Sequence, residues 1–467
     1  MSHATANNSR RQVAHTAQQL HQQPGLPFAD HLPPHRIEAI LQQLGRTFRH
    51  RLFCPALTLW TFLSQVLDPD HSCRAAVARV LAWRVRHGLP PCSADTGAYC
   101  RARQRLPQEL LAQLTRDTGQ EGLAQAASAW CWLGRPVKVV DGTGLSMPDT
   151  KANRRHYRQS RQARPGCGFP LMRLVVLFSL AVGTVLDAAF GPHRGQGSGE
   201  LSLWRTLQQG LQPGDVLLAD RGFCCFWTLA QAQARGADAV LRLNSGWEKD
   251  ARWGRRLGAG GRRLRLVKPA QPAWLEAAAY QALPEQLSLR TVAVRVRQRG
   301  FRTQRLVVVT TLLDPVAVPA SAVAALYRAR WQVELDLRSL KQTLQMDILR
   351  GRTPDLVAKE VWAHLLAYNL VRLVMAAAAQ RAGMSPRQLS VAGAVQQLVA
   401  FAPLLREAGS AAEALALWEA LLVAVGRHRV GKRPNRVEPR AVKRRGKAYP
   451  YLGVPRKQSR ARLAAAG

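Results

Sequence analysis

Acidic residues are scarce in this chain: 29 Asp and Glu stand against 67 Lys and Arg, a formal charge of +38 over 467 residues. A surface so one-sided repels itself and is tolerable chiefly when a polyanion is the usual partner. Nucleic acid is the first candidate and an anionic membrane surface the second, while coding bias toward Arg and Ala is a source of charge without function. Cysteine is sparse too, with eight residues and no CxxC pair, which argues against a disulfide framework or a thiolate zinc site. No HExxH or other paired metal-ligand histidine spacing occurs. The opening residues lack the apolar core of a secretory signal. The apolar, uncharged run Leu174 to Leu186 is far shorter than the ~20 residues of a membrane span. The expectation is a cytoplasmic, nucleoid-associated protein with no membrane partner. Aromatics are few at 6%, yet the apolar fraction of 47% suits a globular chain with a sizeable core.

Hydrophobic patterning divides the chain. Residues 1–130 read as a helical N-terminal domain with a possible role in binding DNA ends. Within it Arg74, Arg79, Arg84 and Arg86 lie among apolar residues, and "YCRARQRLP" adds three more arginines. Solvated basic helix faces are the competing reading. From 131 to 244 the pattern becomes α/β. "PVKVVDG" reads as a short strand ending in Asp141, and "LMRLVVLFSLAVGTVLDAAFG" as two buried strands joined through Gly183. "GDVLLADRGF" is a further strand ending in Asp220, with helices and strands alternating around it. Residues 245–315 read as a β-rich insertion. There Val292, Val294 and Val296 oppose Arg295 and Arg297, a hairpin with one cationic face. Helices return over 316–426. From Arg427 on, fourteen Lys or Arg accompany a single acid, a basic tail that stays extended until it meets phosphate.

The stretch "YRARWQVELDLRSLK" spaces Tyr327, Arg330, Glu334 and Lys341 by three, four and seven residues. On one continuous helix they fall at roughly 0°, 300°, 340° and 320°, a polar stripe along the border of the buried face. Arg330 and Glu334 form an i,i+4 pair, so an ion-paired helix surface accounts for them without any further role. Asp141 in "DGTG" reads equally as a strand-end turn residue, and Asp220 as a local partner of Arg221. Taken together, however, three carboxylates from two strand ends and a later helix offer the hard oxygen ligands that suit Mg²⁺ or Mn²⁺. Two such ions support phosphoryl transfer.

The wording around these acids resembles the insertion-sequence-4 family of bacterial DDE transposases. "DGTGLSMPDTKANRRHY", "DRGF" and the Y-x2-R-x3-E-x6-K pattern occur in the family's order, and the resemblance runs from "FRHRLFCPALTLW" through "KRRGKAYPYL". It implies a ribonuclease-H-like catalytic core interrupted by the β-rich insertion. It also implies that Asp141, Asp220 and Glu334 are the catalytic, metal-binding triad and that Tyr327, Arg330 and Lys341 contact DNA phosphates. The implied activity is cut-and-paste or related strand transfer on double-stranded DNA, at terminal inverted repeats and target, with two Mg²⁺ or Mn²⁺ ions and a homodimer in the synaptic complex. A structure-specific nuclease of the same fold and a catalytically silent DNA-binding regulator are the alternatives. Trp331, Trp247 and Trp253 are candidates for stacking on bases, against the commoner reading of core tryptophans.

Overall fold

A computed structural model describes residues 31–49, 51–159, 168–195, 197–248, 254–257, 261–295, 305–431 and 454–465. Trp253, Val296, Arg297 and most of the basic tail lie outside them. The chain forms two compact units: Ala126–Ser146 with Arg154–Leu337 make up a sheet unit, and the helices before Gln125 join Met147–Asn153 and Arg338–Val430 in a helical unit.

The helical unit begins with α1 (Pro34–Gln43), α2 (Pro55–Leu67), α3 (Cys73–Arg86), α4 (Gly97–Arg105) and α5 (Gln108–Ala124). Proline occupies the first turn of α1 and α2, where its missing N–H costs nothing. Ser72 caps α3 by accepting from the Ala75 N–H at 3.0 Å. The arginines of α3 divide by role. Arg84 is buried and donates to the Pro90 carbonyl at 2.8 Å, Arg79 pairs with Asp68, and only Arg74 and Arg86 are exposed.

The sheet unit holds eight strands: β1 (Val137–Ser146), β2 (Leu171–Ser179), β3 (Val185–Pro192), β4 (Val216–Ala219), β5 (Asp238–Arg242), β6 (Gly261–Val267), β7 (Gln286–Arg295) and β8 (Arg305–Thr310). Their order is β3-β2-β1-β4-β5-β8-β7-β6, with β1, β4 and β5 parallel and every other pairing antiparallel. The protein is thus mixed α/β. Helix α6 (Glu200–Leu207) packs on β2 and β3, and α7 (Phe226–Ala234) on β5. Strands β6 to β8, read from sequence as an insertion, continue the sheet by pairing β8 with β5. The alternation in β7 holds where it is described: Val292 and Val294 are buried and Arg295 is exposed.

Strand β1 differs from expectation. It runs five residues past Asp141 because its antiparallel pairing with β2 continues to Ser146. Only its parallel pairing with β4 stops early, at Val139 opposite Leu218.

After β8 come α8 (Ala320–Ala329) and α9 (Trp331–Arg338), then a π-turn at Ser339–Thr343. The chain returns to the helical unit with α10 (Pro354–Arg381), α11 (Val391–Glu407) and α12 (Ala411–Arg427). The segment 316–426, expected to form the second part of one catalytic core, therefore divides at Arg338. Helices α10 to α12 belong with α1 to α5. Among the described residues α10 alone is long and apolar enough to cross a membrane, but 94% of its apolar window is buried within the protein. That is the environment of a core helix.

Within this core His364 of α10 is fully buried and stacks on His71 with ring centroids 6.1 Å apart. Its Nδ1–H donates to the Glu360 carbonyl at 2.8 Å. Burial pushes its pKa down to about 4 from 6.5. Between those values the unfolded chain binds a proton that native His364 refuses. Its contribution to stability is whole above pH 6.5 and is lost as pH falls toward 4. The shift corresponds to about 3 kcal/mol. Chemical denaturation at pH 7 and pH 4 should show His364→Leu losing about 3 kcal/mol less on acidification than the wild type.

Candidate active site

The site sits where the parallel pairing of β1 with β4 ends, beside the carboxyl ends of β4 and β5. Asp141 lies two residues beyond Val139 and Asp220 two beyond Leu218, and Val139 faces Leu218 across the parallel pair. The two acids therefore hold equivalent register positions, just where neighbouring strands part and backbone no longer fills the gap. Arg242, at the end of β5, follows Leu241, the partner of Ala219, and so falls beside Asp220 in the same row. Sequence reasoning passed over Arg242, since only the β4–β5 register gives it significance.

Each acid is held locally. Asp141 Oδ1 accepts from the Gly142 N–H at 2.8 Å, and Asp220 Oδ1 caps the turn at Arg221–Phe223 by accepting from the Gly222 N–H at 2.7 Å. Gly142 itself permits close packing: a Cβ there would stand 2.7 Å from the Glu200 carboxyl carbon. Adjacent strand residues face opposite sides, so Glu200 lies across the sheet from the Asp141 side chain and is no fourth member of the site.

Glu334 arrives on the first turn of α9. Its Oε1 accepts from Arg330 Nη2 at 2.6 Å, and Arg330 Nη1 lies 3.9 Å from Asp141 Oδ2. One guanidinium therefore stands between two carboxylates from different elements. Burial raises the Asp141 pKa to about 6; the Gly142 N–H and Arg330 oppose the rise, and Asp220 and Glu334 add to it. For Arg330, burial acts to lower the pKa, but Tyr327, Glu334 and Asp141 outweigh it and hold the group above its ordinary value. The Tyr327 ring is buried, with its centroid 6.0 Å from the Arg330 guanidinium carbon, and burial raises its hydroxyl pKa.

The four spaced residues do not share one uninterrupted helix. The helix breaks at Arg330, whose N–H and carbonyl make tight three-residue bonds to Tyr327 and Val333. The regular wheel thus fails between Tyr327 and Lys341. Tyr327, Arg330 and Glu334 belong to the sheet unit with Asp141 and Asp220, whereas Lys341 lies on the π-turn of the helical unit. Trp331 is 45% exposed and is no core residue; Trp247 is half-buried on a short 3-10 turn. Cys224 is buried, with its thiol pKa pushed up to about 12 by burial.

Three carboxylates supply an oxygen-only donor set that fits a hard divalent cation. Among the described residues no three His, Cys, Asp or Glu side chains converge as ligands on one point.

The match to a family model, that of the transposase DDE domain, covers residues 132–370. The chain belongs to that family of transposases. It is similar to the transposase InsG for insertion sequence element IS4 of Escherichia coli (strain K12), with 28% identity over 375 residues, 78% of this chain and 79% of that one. A 65-residue stretch is 40% identical to the transposase for insertion sequence element IS421 of Escherichia coli, covering 14% of this chain and 18% of the relative. Among solved structures it is similar to the piggyBac transposase synaptic complex with hairpin DNA, with a TM-score of 0.43 and 10% identity over 90% of this chain and 87% of that one.

Proposed function

We propose that this transposase binds the ends of its insertion sequence and catalyses divalent-metal-dependent strand cleavage and strand transfer by a cut-and-paste route. The observation that carries this reading is the equal register of Asp141 and Asp220 on parallel neighbours, with Glu334 linked to Asp141 through Arg330. The register at parallel strand ends is also what supports a ribonuclease-H-like core. Asp141, Asp220 and Glu334 are the residues that would hold Mg²⁺ or Mn²⁺, as two ions. When bound, such ions stabilise charge on phosphoryl oxygens and activate the attacking oxygen.

The chain's own groups do the positioning. Arg330 presents its planar fork to a DNA phosphate, and the Tyr327 hydroxyl and the Lys341 ammonium each contact DNA phosphates as well. In the first step water attacks the phosphorus at the element end and the 3′-hydroxyl leaves. In the second that 3′-hydroxyl attacks a target phosphodiester and displaces the target's own 3′-oxygen. Trp331, exposed beside Arg330, offers a ring face to an unstacked base. Two ends brought together call for a homodimer in the synaptic complex, working at the nucleoid in the cytoplasm, with the basic tail of 427–467 adding phosphate contacts.

The test is metal dependence. Purified protein should nick its own element ends in Mg²⁺ or Mn²⁺, and bind without turnover in Ca²⁺. Full cleavage in excess chelator would refute the reading.

A further inference from the structure

The helical unit contains a cavity of about 620 Å³ that the catalytic reading leaves unused. It opens between the segment before α2 and the corner joining α4 to α5, and Arg46, Arg49, Arg51 and Arg105 line it. All four arginines are exposed, and among the described residues none has a side-chain ion pair or hydrogen bond. The acids on the wall do little to balance them. Asp355 is engaged by Lys359 at 2.7 Å, and Lys359 also donates to the Gln104 carbonyl at 2.7 Å. Glu109 is the other carboxylate on the wall.

Of the lining guanidiniums, that of Arg51 acts on Arg105. The Arg105 pKa is lowered, first by burial and then by Arg51 and Arg101. Like charges gathered in a concavity focus a positive field and are relieved by an anion. The cavity also meets the first turn of α5, where Pro107 offers no side-chain cap to the N–H groups; those donors add to the field but would not define a site alone. Four forked cations exceed the need of one phosphodiester, so a polyanion with several phosphates uses them more fully than a single one does.

We propose that this cavity is a second DNA contact, seating backbone phosphates of duplex DNA away from the catalytic carboxylates. The choice of DNA as the anion rests on the transposase reading. Recognition here is of charge and backbone geometry and is indifferent to base sequence.

Full-length Arg51→Gln/Arg105→Gln protein is compared with Arg352→Gln/Arg381→Gln, which removes equal charge from exposed positions of the same unit. Duplex affinity is measured against salt by fluorescence anisotropy, with thermal melts checking the fold and Arg49→Gln as a milder variant. The cavity pair should weaken binding by about tenfold or more and reduce the slope of log K against log salt by about 1.8, at roughly 0.9 per contact. The control pair should leave the slope near wild type. Equal effects from both pairs would mean that net charge alone acts, and no effect from the cavity pair would overturn the proposal. A melt shift with millimolar inorganic phosphate that the cavity pair abolishes, combined with an unchanged duplex slope, would assign the cavity to a small anion and also overturn it. These binding results stand apart from cleavage, so failure of the metal test would leave them readable.

Discussion

Glu334→Gln is expected to leave folding and DNA-end binding intact while nicking falls on the order of a thousandfold, the effect of several kcal/mol lost from transition-state stabilisation. The amide keeps the shape of the side chain and can still accept from Arg330, but it removes one of the three negative charges that would hold the metal. An ion-paired helix surface with no catalytic role predicts something quite different. On that view the Arg330–Glu334 pair is worth a few tenths of a kcal/mol and activity stays near normal. The structure contains the pair, at 2.6 Å, so the plain reading described a real contact. What it missed is the reach of the same guanidinium toward Asp141 on another element. Thermal melting, end binding and nicking of the variant separate the two accounts.

Asp215→Ala is expected to destabilise the protein by about 3–5 kcal/mol, the usual loss when one partner of a buried ion pair is removed. Lys138 on β1 and Asp215, just ahead of β4, are 1% and 4% exposed and lie 2.7 Å apart. Lys138 also donates to the Gly210 carbonyl at 2.7 Å, and Asp215 accepts from the Gln212 N–H at 2.6 Å. Without Asp215 an ammonium is stranded in the core. The pair ties together the same two strands that carry Asp141 and Asp220, so the variant should also lose cleavage. Lys138→Met/Asp215→Leu should recover most of the stability, since an apolar replacement of the whole pair is often neutral or better. Urea denaturation of both single variants and the double closes the cycle.

Much of the candidate site was legible in the chain. Asp141 and Asp220 could be placed because apolar runs led straight into each, and Glu334 because its spacing from Tyr327, Arg330 and Lys341 fitted a specific pattern. What could not be read was pairing. The end of β1–β4 contact at Val139, which sets Asp141 and Asp220 level, depends on a partner strand about 80 residues away. The extension of β1 to Ser146 depends on β2, and the continuation of the sheet through β8 depends on β5. The break at Arg330 and the π-turn at Ser339–Thr343 also eluded wheel arithmetic, which assumes one regular helix. The arginines of α3 looked alike in sequence, yet burial committed Arg84 to a carbonyl, while less conspicuous arginines at 46, 49, 51 and 105 gathered around one cavity.

The central claim is that Asp141, Asp220 and Glu334 hold one metal centre. Hydroxyl radicals generated from added hydrogen peroxide and ascorbate by Fe²⁺ bound in place of the native ion cut the polypeptide beside the site and test that claim without relying on turnover. The account predicts fragments ending near residues 141, 220 and 334, suppressed by excess Mg²⁺ and absent from Asp141→Asn protein. Cutting elsewhere, or cutting that persists unchanged in that variant, would contradict it.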